Sequence, residues 1–522
     1  MTRQESAAAG GVARARAVVE ESGGRELVER LEHLDACRGG RPQTRGAARS
    51  MARGAAPQAG TRFDTDVAIA GGGLSLLVAP LLAEAGLDVT VIERGRAGTV
   101  HREWNASRPE LAPLSDCGLF SAREVDDLVI NRYRHGSCFW HGGEGRYDVR
   151  GVLDCAVDAP RLAREVRLRA EARGVRFIDG HSVVAHRAGP CGVRLWLEPR
   201  DGGAVRELSA RLMVDARGAS SPYAAAADLV CPTVGGVLGG LDEGSAPDQI
   251  DPTVGQILAT VEHAVRVPAS DPSAAPGARA MQRQHIWEAF PGHPGETTVY
   301  LFYYAPSAAV APGALLSLYA RFFEQLPRYK RGAAKLLRPT FGYIPGWSRL
   351  TTGPAPLEPR VMLVGDAAAR HSPLTFCGFG SMLRSFRGAA QRIVEALARD
   401  DRSGAPIAPA VLDAPIHAGT GALARMMASP PPGAALNALL DAAFGSLAEM
   451  GDAAYGALLR DEMSAAEFVS FLHRTSMRRP RVYADVFRTL GVGAVGRWGV
   501  GLVGQLLSAA VARAPAAVGA RP

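Results

Sequence analysis

Apolar residues change their period several times along this chain, and the changes mark its elements. From Asp66 the run Val67–Ala70 is continuously apolar, as in a strand covered on both faces. The cluster Gly71–Gly73 interrupts it, a helix-period stretch follows through Ala79, Leu82 and Gly86, and a second strand runs through Val89 and Val91 to Glu93. A helix at about 160–174 leads to a strand at 176–178 and to alternating stretches at 181–199 and 204–215. Residues 226–349 supply strands such as QHIWEAFPG and TTVYLFYYAP around a His-Pro-Gly turn, with a helix near 311–325. An apolar strand returns at RVMLVGDAAA, a long helix follows Gly378, and residues 401–522 read as mostly helical. Residues 1–62 are rich in Ala, Gly and Arg. They read as a mostly disordered leader without chemistry, holding one helical stretch near 20–37 where Leu27, Leu31 and Leu34 recur at helical spacing.

The strand, glycine turn, helix, strand and terminal acid of 66–94 form a dinucleotide-binding unit. Small residues let the backbone approach a pyrophosphate, the helix N-terminus offers N–H donors, and Glu93, followed by Arg94, is placed to accept from ribose hydroxyls. Counting back from Glu93 puts Ala70, Gly72 and Ser75 at the three glycine positions. Counting from Gly71 and Gly73 puts Leu76 at the third and leaves the helix one residue short. Serine fits tight helix–strand packing better than leucine, which favours the Ala70 register.

Two later segments separate FAD from NAD. MVDARGASSP resembles the strand-and-turn found midway along FAD enzymes of the glutathione-reductase-like class, with Asp215 and Gly218 in the matching places. RVMLVGDAAARHSPLTFCGFG resembles their later Gly-Asp segment, which implies that Gly365, Asp366, Ser372, Pro373 and Gly378 face the cofactor; helix capping is an equal role for Ser372. The expected fold is therefore α/β: a Rossmann-like FAD-binding domain of the glutathione-reductase and aromatic-hydroxylase type (63–225 and 350–400), an interleaved β-sheet substrate domain (226–349), and a helical C-terminal region (401–522).

REWNASRPEL, CGLFSAREVDDLV, DPTVGQILATVEHA, IWEAFPG, FGYIPGW and GDAAARHSPLTFCGFGSMLR resemble the bacterial FAD-dependent lycopene cyclases of the Cru type, over about 66–397. That resemblance implies acid-initiated closure of the acyclic end of lycopene into a β-ring, without net redox change but with reduced FAD, and NAD(P)H as an electron source. Such chemistry needs a proton donor, an apolar tunnel and stabilisation of a carbocation. Glu288, between Trp287 and Phe290, is the first candidate acid, since apolar neighbours raise a carboxyl pKa. Glu103 beside Arg102 and Glu144 after His141 follow. Plant-type cyclases carry an acidic Phe-Leu-Glu-Glu-Thr strand where this chain has VYLFYYAP, with Tyr303 and Tyr304. Trp104, Trp287, Phe290, Tyr343 and Trp347 are candidate channel residues, although aromatic residues on apolar strands more often fill cores. Rival readings are an NAD(P)H-consuming FAD reductase or hydroxylase acting on a hydrophobic substrate, and a non-catalytic paralog.

Composition narrows little further. The 522 residues are 47% hydrophobic and 21% charged, ordinary for a globular protein. Net charge is +7, but residues 1–62 hold eleven Arg against seven acids, and no basic face with interleaved aromatics points to nucleic acid. Seven cysteines without CxxC or Cys/His spacing argue against disulfides and structural zinc, and a reducing cytoplasm is the expected home. The run from Trp498 to Ala512 falls short of the ~20 residues that span a bilayer, so peripheral membrane contact is expected.

Overall fold

The computed structural model describes residues 3–38, 56–58, 60–101, 104–269, 271–277, 279–347, 357–369, 378–403, 407–412 and 418–513. The chain opens with helix α1 (Arg3–Arg38), kinked at Gly24, where φ is 77°. Strand β1 (Thr65–Ala70), a 3₁₀ turn (Leu74–Val78), α2 (Ala79–Glu84) and β2 (Val89–Glu93) follow. Helix α3 (Ala159–Ala172), capped by Asp158 accepting from the Arg161 N–H, leads to β3 (Arg176–Asp179), and β4 (Arg206–Asp215) comes after a hairpin (His181–Ala188, Val193–Pro199). The second sheet is built on β5 (Leu229–Leu241), β6 (Val254–Ala259), β7 (Ile286–Pro291), β8 (Glu296–Phe302) and β9 (Gly332–Gly346), with α4 (Ala314–Tyr329) crossing it. Finally β10 (Val361–Leu363), α5 (Gly378–Ser403) and β11 (Ala410–Val411) return to the first sheet, and six helices from Ala418–Ala428 to Val492–Arg513 close the described chain.

Six strands of the first sheet run parallel in the order β11-β10-β4-β1-β2-β3, and the hairpin pairs antiparallel onto β4. Chain order therefore reverses between β1 and β4, whose ends lie side by side with Ala70 opposite Asp215. Ligands of open α/β sheets bind in the crevice that such a reversal leaves at the carboxyl ends of the strands. The strand residues Val67, Ile69, Val91, Leu212 and Val214 are buried with α2, α3 and α5 in one apolar core.

The second sheet is mostly antiparallel, and each of its faces is covered. Trp287, Val299, Leu301 and Phe341 face α4 and α1, while Ile286, Phe290 and Phe302 share a core with Phe444, Leu447 and Tyr455 of the C-terminal helices. Two of its strands, His135–Phe139 and Arg146–Val149, come from before residue 226, so the sheet draws on the stretch between β2 and α3 as well as on 226–349. β11 likewise extends the first sheet past residue 400.

The leader departs most from expectation. Residues 3–38 are helical, and Ala15, Val19, Val28 and Leu31 are buried against the second sheet and α4. Asp35 hydrogen-bonds the Tyr343 hydroxyl, Arg38 donates to the Ser307 carbonyl, and Arg200 pairs with Glu26 (2.6 Å) and Glu29 (3.0 Å). A helix with so many Ala and Gly reads as biased composition, yet those small side chains are what permit close packing: Gly11 stands 3.7 Å from Ala320 when given a Cβ.

Candidate functional site

A cavity of about 1360 Å³ lies where the two sheets and α1 meet. Its floor is the crevice at the ends of β1 and β4. The turn after β1 shows why glycine stands there. Gly71 has φ 113°, and a Cβ on it would meet the Ala216 carbonyl at 2.3 Å; a Cβ on Gly72 would meet Ala97 at 2.5 Å. Gly73 faces open cavity space and would meet nothing within 4 Å. The left-handed residue at the strand end is thus Gly71, not Ala70, and the backbone follows the Gly71/Gly73 register rather than the one favoured from the count. A 3₁₀ helix rises about 2.0 Å per residue against 1.5 Å for an α-helix, so the turn Leu74–Val78 makes up for the missing residue. Ser75 and Leu76 are both buried in it.

Glu93 ties this turn together. One carboxylate oxygen accepts from the Gly72 N–H (2.7 Å) and the other from the Gly95 N–H (2.9 Å), while Glu93 and Arg94 remain part of the cavity wall. On the β4 side Asp215 is fully buried and engaged: Arg217 binds it with Nη2 at 2.7 Å and Nε at 3.1 Å, and the Ser221 hydroxyl donates at 2.9 Å. Burial would raise the Asp215 carboxyl, but the Arg217 guanidinium outweighs it and holds the group below its usual range. Asp215 is therefore a brace that shapes the 216–221 turn, and Gly218 beyond it lines the cavity. Gly365, Asp366 and Gly378 line it from the β10 side. Ser372, Pro373 and His371 lie outside the described residues, as does Glu103.

The roof of the cavity is the second sheet. Strand alternation sends Glu288 and Phe290 of β7 into it and turns Trp287 the other way, where its ring stacks on Tyr329 at 4.8 Å. Glu288 sits opposite Tyr300 of β8. It makes no hydrogen bond or ion pair among the described residues, and burial pushes its carboxyl up to about 8. Trp104 also lines the cavity, stacked on Phe379 at 4.8 Å. Tyr343 and Trp347, candidates for the channel, are absent from the wall: Tyr343 points to Asp35 of α1. Glu144 is exposed on a turn, its N–H donating to Asp441 at 3.1 Å, away from the cavity.

One wall was not foreseen. Leu27, Arg30, His33, Leu34 and Cys37 of α1 face the cavity along its length, from Arg200, paired with Glu29, at one end to Ser220, near Cys37, at the other. Burial, with Arg94 and Arg30 nearby, lowers His33 to about 4, so it is neutral at ordinary pH, 3.5 Å from the Cys37 sulfur. The Leu27, Leu31, Leu34 stripe was the only sign of this packing in the sequence.

The residues present fit a flavin dinucleotide: a glycine turn open at Gly73, an acid at the end of β2, a second turn at 216–221, and a volume above the roughly 300–1,000 Å³ of ordinary ligand pockets. Residues 64–297 match the FAD binding domain family. No curated protein matches the chain. Among solved structures it is similar to a geranylgeranyl bacteriochlorophyll reductase-like protein from Thermoplasma acidophilum, at 14% identity over 82% of this chain and 98% of that one, TM-score 0.48. It is also similar to a triple mutant of a flavin-dependent brominase (15%, 83% and 99%, TM-score 0.47) and to aklavinone-11 hydroxylase in complex with FAD and aklavinone (16%, 65% and 63%, TM-score 0.46).

Proposed function

Because residues 64–297 are an FAD binding domain and FAD is the cofactor, we propose that the chain is a flavin-dependent enzyme in which Glu288 protonates a double bond of a hydrophobic substrate, and that the substrate is an acyclic carotenoid end which then closes to a β-ring. The observation that carries this reading is Glu288 itself: a carboxyl without partners among the described residues, facing the cavity, and held protonated to about pH 8. A general acid works best when its pKa lies near the operating pH. Phe290 on the same strand and Trp104 across the cavity offer apolar and aromatic surface for a polyene and for the positive charge that protonation creates. The step balances as an isomerisation. One proton leaves Glu288 for the terminal alkene, a ring carbon–carbon bond forms, and one proton is lost next to the cation, for which the Glu288 carboxylate is an available base.

The same neutral acid also supports a second reading, reduction of an isoprenoid double bond with stoichiometric use of NAD(P)H. Reduced FAD, when bound, would supply electron density that steadies a cation in the first reading and a hydride in the second. Expression in a lycopene-accumulating bacterial host separates them. Cyclisation gives γ- or β-carotene with the intact chain and none with Glu288→Gln or with a Glu93→Ala, Asp366→Ala control; the Gln variant keeps its FAD and loses about 10²-fold or more in rate. Activity of the intact chain should fall as pH rises through about 8. Saturated products formed with one NAD(P)H each would favour the reductase, and unchanged lycopene beside a flavin-loaded protein would sink the cyclase.

A further inference from the structure

Large apolar side chains scattered singly over a surface are ordinary, but here they are concentrated in one place. Of the nine that are exposed among the described residues, eight belong to residues 465–513. Helix Val492–Arg513 presents Val492 (76% exposed), Val500 (75%), Val503 (53%) and Leu507 (62%), spaced so that they form a single outward stripe. Its opposite stripe, with Leu502 and Trp498, is packed inward on the C-terminal core, so the outward one is not a misplaced core face. The preceding helix, Val482–Leu490, packs beside it and adds Tyr483 (52%) and Phe487 (45%). No helix among the described residues is long and apolar enough to cross a membrane.

Charge decides what this face suits. Between 481 and 507 the chain has three arginines, Arg481, Arg488 and Arg497, and one acid, Asp485, which is buried and paired with Arg479 at 3.0 Å. None of the three arginines has an ion-pair partner among the described residues. A second copy of the chain would set these arginines against each other near a two-fold axis, whereas phosphate-bearing lipid headgroups complement them.

We infer that the helices Val482–Leu490 and Val492–Arg513 form a membrane-docking face, on which the aliphatic stripe enters the headgroup region of a bilayer and the arginines bind anionic lipid. Aromatic, aliphatic and arginine side chains in this mixture are those of helices that lie in an interface about 5–10 Å deep without spanning it. The inference rests on surface composition and holds whatever reaction the cavity performs.

Flotation of the full-length, FAD-loaded protein with phosphatidylcholine–phosphatidylglycerol vesicles tests it. The intact chain should float with these vesicles and hardly at all with phosphatidylcholine alone or in high salt. A Val500→Asp, Val503→Asp variant and an Arg481→Glu, Arg488→Glu, Arg497→Glu variant should each lower the bound fraction at least about tenfold, with flavin content and melting temperature unchanged, since all five side chains are exposed or unpaired. Equal flotation of the variants, or none of the intact chain, overturns the proposal. So does an intact chain that runs as a dimer which the Asp variant splits while vesicle binding is nil; the face would then join two copies.

Discussion

At the turn after β1, adjacent glycines answer to different demands, and substitution can tell them apart. Gly71 holds a left-handed φ against the Ala216 carbonyl, so Gly71→Ala strains the backbone and collides at once. It should cost at least about 2 kcal/mol in the stability of the flavin-free protein. Gly73→Ala meets nothing in the protein but fills space that the cavity leaves open. It should leave the flavin-free melting temperature where it is and weaken FAD binding at least about tenfold, for lack of room for a close pyrophosphate. Titrating FAD fluorescence against both variants checks this; equal FAD affinity for Gly73→Ala and the parent would remove Gly73 from the cofactor site. The sequence named both glycines but misjudged which began the motif, because the count assumed an α-helical first turn. Glu288 was legible from its apolar flanks, and its neighbour Trp287, a channel candidate that the strand context favoured for the core, is in the core: flanking residues on a strand face opposite ways, so what qualifies one for the cavity disqualifies the other.

Whole elements were legible where periodicity and turn chemistry agreed. β1, β2 and the helix after Gly378 each carry a strong apolar pattern, and the reversal between β1 and β4 then follows from the order of the flavin segments. What periodicity could not report is where α1 docks. Its contact face is built of Ala15, Val19, Val28 and Leu31 against α4 and β9, partners some 300 residues away in the chain. Since the same helix walls the cavity from Leu27 to Cys37, it should govern how fast flavin leaves. Leu31→Asp buries a charge at a position now fully buried and should release α1 from the sheet. The expected outcome is FAD dissociation at least tenfold faster by fluorescence recovery on dilution, with β-sheet circular dichroism intact. An unchanged rate would make α1 a brace on the second sheet and nothing more.

Across the whole molecule, buried ionisable groups oppose one another, which makes the pH dependence of folding a test of where they sit. Glu288 titrates near 8 and Asp35 near 6 in the folded chain, both above their ordinary values, because burial disfavours their charged forms. A carboxyl raised in this way costs stability as pH climbs from its unfolded value through its folded one. His33, lowered to about 4 by burial, acts in the reverse sense: folding gains as pH rises from 4 toward 6.5 and this group loses its proton in the unfolded chain. Two limbs fall and one rises, so the parent protein should lose about 1.4 kcal/mol per pH unit between 4.5 and 6 and be nearly flat from 6 to 6.5. Removing one limb changes that profile. Glu288→Gln keeps the shape of the side chain and abolishes its titration, so the variant should match the parent at pH 4 and exceed it by about 3 kcal/mol at pH 7, from about 1.4 kcal/mol for each unit between 4.5 and 7. Denaturant unfolding of the flavin-free proteins at the two pH values measures the difference. A gap that does not widen with pH would mean that Glu288 is ionised in the folded state, and the proton donor of the proposed reaction would have to be sought elsewhere in the cavity.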